Sequence, residues 1–224
     1  MSLSQVIDLS TERARGYTDY NFRGIAYLGY DNDDEFRKVY AQVPKSSTIQ
    51  ISSYYYLWLL AKQCLSVEGD FWECGVFAGG SAKFLSLVMN GADKTLHLFD
   101  SWEGLPELSD KDHIHFKGEF SNCSLEEVKK TVNYRYARYH KGWIPKTFFD
   151  NQIAFAHIDV DLYQSVKDCC EYIYPRMTKG GVMVFDDYGH YTTMGAREAV
   201  DEFFKNKPEN PIPVINGQAF VFKL

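Results

Sequence analysis

No apolar run in this 224-residue chain approaches the roughly 20 residues that a membrane-spanning helix requires. No lysine- or arginine-rich run is present either. The 24 basic residues against 30 acidic ones leave a formal charge of −6, which argues against a nucleic-acid backbone or an anionic membrane surface as partner. A small-molecule substrate fits that balance better. The five cysteines, Cys64, Cys74, Cys123, Cys169 and Cys170, include no CxxC pair from which a zinc site could start, and their odd number and scatter predict reduced thiols. Met1-Ser-Leu-Ser-Gln5 places no basic region ahead of an apolar stretch, so no secretory signal is read and a cytoplasmic location is expected.

What the sequence does contain is ordinary globular usage, 45% hydrophobic and 24% charged, over a length suited to one α/β domain. Residues 1–45 are polar and rich in tyrosine (Tyr17, Tyr20, Tyr27, Tyr30, Tyr40), with weak periodicity. They read as a helical or loop cover, with 46–224 as the domain proper, and the acidic run Asp31-Asn-Asp-Asp-Glu35 reads as a solvated helix start. Ser52 to Leu65 is apolar on most faces, which predicts a well-buried helix. Gly69 to Ser81 then reads as a short strand and a glycine-rich turn opening a helix from Ala82 to Met89. Gly75, Gly79 and Gly80 permit a sharp turn and the close approach of a ligand to backbone amides. Their spacing is not G-x-G-x-x-G, which weakens a dinucleotide-binding reading. Thr95 to Asp100 predicts a second strand ending in an acid suited to both hydroxyls of a ribose. The competing structural reading makes Asp100-Ser101 a turn or helix cap.

Residues 102–122 have neither helical nor strand period, and a loop of that length is usually a lid or binding loop. Its H-x-H pair, His113 and His115, is more in keeping with solvent or substrate than with a soft-metal chelate. Ser124-Leu-Glu-Glu127 is a capping box, opening a helix expected to reach Tyr136. Arg138 to Gly142 reads as a third strand, and Trp143 to Phe149 as a turn. Ile153-Ala-Phe-Ala-His-Ile158 predicts a buried central strand that emerges in Asp159 and Asp161. A helix from Gln164 to Tyr174, stopped by Pro175, is expected next. Lys179-Gly-Gly181 should then turn the chain into Val182-Met-Val-Phe185, which ends in Asp186-Asp187. After a helix from Met194 to Lys205, Asn216-Gly217 between two apolar runs predicts a hairpin. Repeated β/α units followed by an antiparallel hairpin describe a doubly wound, mostly parallel sheet, with ligands at the carboxyl ends of its strands.

Residues two apart on a strand share a face, and parallel neighbours lie about 4.8 Å apart, so four carboxylates are expected to converge on one edge. Two like charges about 5 Å apart repel by on the order of 3 kcal/mol at an effective dielectric of about 20. Such a cluster needs a proton, a cation or both. All-oxygen donors favour a hard ion, Mg²⁺ first, with Ca²⁺ and Mn²⁺ as alternatives. The competing reading makes Asp186-Asp187-Tyr-Gly a turn and Asp161 a helix cap.

Five ordered motifs, Glu73-Cys-Gly-Val-Phe-Ala-Gly-Gly-Ser81, Leu98-Phe-Asp-Ser-Trp-Glu-Gly-Leu-Pro106, Lys141-Gly-Trp-Ile-Pro145, His157-Ile-Asp-Val-Asp-Leu-Tyr163 and Val184-Phe-Asp-Asp-Tyr-Gly189, together resemble the macrocin O-methyltransferase family. Its members are metal-dependent enzymes that methylate sugar hydroxyls of antibiotics. The resemblance covers about residues 50–200. It implies a class I, Rossmann-like methyltransferase fold with a seven-stranded sheet, S-adenosylmethionine as methyl donor, and Mg²⁺ held by Asp159, Asp186 and Asp187. Asp161 is implied as general base. Gly75, Gly79, Gly80 and Ser81 would contact the methionine portion of the cofactor, Glu73 its amino group, and Asp100 and Ser101 its ribose. The implied partner is a small sugar or glycosylated substrate, with a homo-oligomer as a further expectation. A catechol or phenol O-methyltransferase with the same cofactor and metal is the nearest alternative. A non-catalytic cofactor-binding module is another, against which stands the electrostatic cost of four clustered carboxylates. An NAD-dependent oxidoreductase fits less well, given the glycine spacing.

Overall fold

The computed structural model describes residues 29–45, 47 and 49–224. The expected cover therefore lies outside the described residues as far as residue 28, with Tyr17, Tyr20 and Tyr27. Among the described residues the chain forms six α-helices and a seven-stranded sheet. The strands are β1 (Asp70–Cys74), β2 (Leu96–Asp100), β3 (Ala137–Lys141), β4 (Ile153–Ile158), β5 (Met177–Phe185), β6 (Ile212–Pro213) and β7 (Ala219–Phe222). The helices are α1 (Asp34–Tyr40), α2 (Ile51–Cys64), α3 (Gly80–Val88), α4 (Leu125–Val132), α5 (Tyr163–Ile173) and α6 (Met194–Phe204).

The strand order is β3-β2-β1-β4-β5-β7-β6. β1 to β5 are mutually parallel, while β7 inserts antiparallel between β5 and β6. From β1 the chain moves outward to β2 and β3, then crosses back to lay β4 on the other side of β1. The crevice of this doubly wound sheet thus opens at the carboxyl ends of β1 and β4, where the direction of winding reverses.

Strand alternation divides the core into two layers. Phe71, Phe155, Val182 and Val184 face α2, α3 and α4, whereas Trp72, Ala156, Met183 and Phe185 face α5 and α6. α2 buries Tyr54, Leu57, Trp58, Ala61 and Cys64, and shows only Leu59, Lys62 and Gln63 to solvent, as an almost wholly apolar helix must. The described part of the N-terminal segment adds Tyr30 and Phe36 to the same layer. Asp33 of the acidic run starts α1, its carboxylate accepting from the Phe36 amide (2.8 Å) and the Trp58 indole (3.0 Å).

Three local expectations are corrected. The capping box of Ser124 and Glu127 forms, but α4 ends at Val132, four residues short of Tyr136, because Asn133 takes a left-handed conformation (φ 41°). Thr178 to Gly181 do not precede β5. The strand begins at Met177 and carries them as a bulge, since Ile153 pairs with Met177 but Phe155 with Val182. Strand geometry also does not extend to Asp161: β4 stops at Ile158, and Asp161 has φ 58°, so the two-residue alternation that placed it beside Asp159 fails there. The C-terminal hairpin forms with a three-residue loop, Ile215 to Gly217, closed by bonds between Val214 and Gln218 and between Gly217 and Val214. The five cysteines are free thiols, with Cys169 and Cys170 buried in α5.

Candidate active site

A cavity of about 650 Å³ opens over the carboxyl ends of β1, β2, β4 and β5. Its walls include Gly75, Gly80, Ser81, Asp100, Ser101, Asp159, Asp161, Asp186 and Asp187. Of the residues singled out in the sequence, Glu73 and Gly79 do not reach it. Gly79 caps α3 with φ 82° and lies against α4, where a Cβ would come 3.1 Å from Val128.

The glycine turn serves the fold before it serves a ligand. A Cβ on Gly75 would sit 1.6 Å from the Asp159 carbonyl oxygen, so the missing side chain is what allows β1 and β4 to meet at the crevice. Asp100 braces the turn: its Oδ2 accepts from the amides of Val76 (2.8 Å) and Phe77 (2.9 Å), and its Oδ1 from that of Trp102 (2.7 Å). A carboxylate offers about four acceptor positions, so roughly one remains for a ligand. Ser101 Oγ donates to the Gly104 carbonyl and accepts from the Glu103 amide.

Carboxylate oxygens of Asp159, Asp186 and Asp187 lie within 4.8 Å of one another. Asp161 is not part of that triplet but borders it, its amide donating to Asp187 Oδ2 at 2.9 Å. Burial, and then repulsion from Asp186, drives the Asp159 carboxyl well above the ordinary range. Asp187 rises in the same way, through burial and then the charges of Asp161 and Asp159. Asp161 is pushed up to about 6, chiefly by burial, against the opposing influence of His115. Asp186 moves the other way. Burial would raise it, but the His157 imidazole and the Gln218 amide, whose Nε2 donates to Oδ1 at 2.6 Å, together hold it below its usual value.

His157 was not singled out as a functional residue in the sequence. It is fully buried, with Nδ1 3.1 Å from Glu73 Oε1 and Nε2 3.5 Å from Asp186 Oδ1. Burial disfavours its charge, yet the two carboxylates outweigh that and hold its pKa well above the usual range. Glu73 is thus paired beneath the cavity floor, and its Oε2 has no hydrogen-bond partner. The signal was available only through register, since Glu73 and His157 are direct partners across β1 and β4. Gln218 is oriented in turn by Asn216 Nδ2 (3.0 Å), which ties the C-terminal hairpin to the acidic cluster.

The long loop after β2 forms one wall. Asp112 crosses from it to α5, where its Oδ1 accepts from the Tyr163 amide (2.9 Å) at a helix start with no side-chain cap of its own. His113 is exposed, whereas His115 lines the cavity, so the H-x-H pair does not converge. Ser47, Gln50 and Ser53, just before and within α2, also line the cavity and were not identified in the sequence.

A family model described as macrocin-O-methyltransferase (TylF) matches residues 61–223. The 8-demethyl-8-(2,3-dimethoxy-alpha-L-rhamnosyl)-tetracenomycin-C 4'-O-methyltransferase of Streptomyces olivaceus is 30% identical over 171 residues, 67% of this chain and 64% of that protein. The mycinamicin III 3''-O-methyltransferase of Micromonospora griseorubida is 30% identical over 159 residues, 61% of each chain. The chain thus spans a little over three-fifths of the length of these curated relatives. Among solved structures, the O-methyltransferase NovP superposes with a TM-score of 0.70 at 22% identity, over 79% of this chain and 81% of that one. With the fold and the family model agreeing over most of its length, the chain belongs to the macrocin-O-methyltransferase family.

Proposed function

We propose that this protein is an S-adenosylmethionine- and Mg²⁺-dependent O-methyltransferase acting on a hydroxyl of a sugar or glycosylated small molecule. The observation that carries the reading is the carboxylate triplet on the cavity wall, beside a glycine turn at the winding reversal of the sheet. The donor set fits a hard divalent ion: three carboxylates are gathered, and two of them, Asp159 and Asp187, are uncomfortable as bare anions. Asp159, Asp186 and Asp187 would hold Mg²⁺. When bound, the ion supplies positive charge that lowers the proton affinity of an acceptor hydroxyl, and the sulfonium cofactor supplies the methyl group.

The residues of the chain do the rest. Asp161, on the cavity wall next to the triplet, takes the hydroxyl proton as the new carbon–oxygen bond forms and the sulfur–carbon bond breaks, and its burial favours acceptance of that proton. Gln218 and His157 fix one oxygen of Asp186, leaving the other for the cation. In this reading Gly75, Gly80 and Ser81, on the cavity wall, contact the methionine portion, while Asp100, with about one acceptor position left, and Ser101 meet the ribose. Glu73 acts through His157 in this scheme.

Calorimetric titration of S-adenosylhomocysteine and of Mg²⁺ into metal-free protein tests the assignment. Wild type is expected to bind both, and the Asp186→Asn, Asp187→Asn double variant to keep the nucleotide and lose the cation. No nucleotide binding would overturn the methyltransferase reading; no cation binding, with nucleotide and a vicinal diol present, would overturn the metal reading. Mass analysis of products from a panel of sugars and catechols then separates the two acceptor classes.

A further inference from the structure

We propose that Asn216, in the loop of the C-terminal hairpin, is a positioning residue for the cation: it fixes the direction of the Gln218 side-chain amide and, through it, the orientation of Asp186. This rests on the metal-dependent reading above and adds to it a residue outside the carboxylate triplet.

β7 lies antiparallel to β5 with Ala219 opposite Phe185, so one step further on Gln218 comes opposite Asp186. Gln218 is 1% exposed and Asn216 7%, so each amide must find its partners within the protein. Asn216 is fixed first. Its Oδ1 accepts from the backbone amide of Gln218 (3.1 Å) in an Asx turn, which leaves Nδ2 facing the other way. Nδ2 donates to Gln218 Oε1 (3.0 Å) and to Ser53 Oγ on α2 (3.1 Å), which uses both of its hydrogens. With Oε1 held there, Nε2 is the group left to donate to Asp186 Oδ1, at 2.6 Å. Turning the Gln218 amide over would set donor against donor at Asn216 and acceptor against acceptor at Asp186.

The hairpin loop is also held against the turn that follows the two aspartates. The Gly189 amide donates to the Gly217 carbonyl (2.6 Å), and the backbones are so close that a Cβ on Gly189 would meet Gly217 Cα at 2.9 Å. A Cβ on Gly217, which has φ 96°, would in turn meet the His190 ring at 2.7 Å. Asn216 is therefore carried on backbone docked to the segment that bears Asp186.

Without the Nδ2 donor, Gln218 Oε1 is a buried acceptor with nothing to accept from. The side chain is then held at one end only, by a carboxylate whose charge a bound cation partly withdraws. Asp186 loses the fixed donor against which its plane is set, and partners of this kind weaken metal binding when they are lost. Cation affinity thus depends on Asn216, while nucleotide affinity does not.

The test is calorimetric titration of Mg²⁺ into protein loaded with S-adenosylhomocysteine, for wild type, Asn216→Ser, Gln218→Ala and the double variant. Serine keeps an oxygen that accepts from the Gln218 backbone amide and so preserves the turn, but it has no amide donor for Oε1. Each single change is expected to weaken Mg²⁺ binding about tenfold or more. Because Asn216 acts through Gln218, the double variant is expected to match Gln218→Ala within about twofold. S-adenosylhomocysteine affinity, measured without metal, is expected to stay within about twofold of wild type throughout. In ¹H–¹⁵N spectra of metal-free protein, the Gln218 side-chain amide protons are expected to exchange slowly in wild type and faster in Asn216→Ser. Wild-type Mg²⁺ affinity or wild-type Gln218 exchange in Asn216→Ser, or a double variant weakened by the product of the two single effects, overturns the Asn216 assignment and leaves the metal reading intact. Absence of Mg²⁺ binding by wild type overturns both.

Discussion

Asp161→Asn separates what the acidic cluster does for function from what it costs in stability. Burial, with the charges of Asp186 and Glu119 adding to it and His115 opposing, raises the Asp161 carboxyl from 3.8 to about 6. The folded protein therefore binds this proton more tightly than the unfolded chain does. Below about pH 4 the group is protonated in both states and favours folding fully; as pH rises through about 6 that contribution is lost. At about 1.4 kcal/mol per tenfold change in proton affinity, the loss in metal-free protein is on the order of 3 kcal/mol. Asparagine cannot ionise, and it tolerates the left-handed backbone at this position as well as aspartate does. Metal-free Asp161→Asn is thus expected to melt above wild type at pH 8, by at most about 6–12 °C for a chain of this length, and to lose that advantage at pH 4. Its methyl transfer is expected to fall by roughly 10²–10⁴, the usual worth of a general base, with S-adenosylhomocysteine affinity retained. Scanning calorimetry at the two pH values, beside single-turnover kinetics, reads both effects. An Asn variant no more stable than wild type at pH 8, or equally stabilised at pH 4, would refute the electrostatic account of this residue.

Gly75→Ala places a Cβ where it would lie 1.6 Å from the Asp159 carbonyl, on a residue with φ 83°, so the ends of β1 and β4 must part. The expected outcome is a lowered melting temperature with joint loss of nucleotide and Mg²⁺ binding; a variant that melts and binds like wild type would show that the glycine serves neither strand approach nor the site. Phe36 is fully buried against Tyr55, Trp58 and Phe84, with ring centroids 5.0, 6.2 and 6.0 Å away. Its truncation to alanine is expected to cost about 3–5 kcal/mol, read from the urea midpoint, and a cost under about 1 kcal/mol would mean that α1 is dispensable to the core.

Features set by neighbouring residues were legible in the sequence. β4 announced itself as a short run of apolar residues, the box at Ser124 and Glu127 as a three-residue spacing, and the hairpin as Asn216-Gly217. The acidic triplet was legible too, because parallel strands ending in aspartate bring their carboxylates to one edge. What depended on register was not. Glu73, which the family resemblance puts near the cofactor's amino group, is hydrogen-bonded to His157, 84 residues away, and only the pairing of β1 with β4 brings the two together. Gln218 reaches Asp186 across 32 residues because β7 inserts beside β5. Backbone sign was equally hidden: nothing local distinguishes the Asp159 that continues from a strand from the Asp161 that turns left-handed.

These long-range contacts divide the acidic cluster into unequal parts. Among the described residues it is Asp186 that a hydrogen-bonded counter-charge holds below its usual value, through a buried imidazole that Asp186 and Glu73 together keep charged; the same imidazole also acts on Asp159, where burial and the Asp186 charge outweigh it. Asp159 and Asp187 receive no comparable partner, and both are displaced toward protonation. A neutral residue at either position would have lessened the repulsion. Keeping two costly carboxylates beside one satisfied carboxylate makes sense if the missing positive charge arrives with a ligand. Asp161 stands at the margin of that arrangement: close enough to the cluster to have its basicity raised, outside the triplet that would hold a cation, and on the wall where an acceptor hydroxyl would enter.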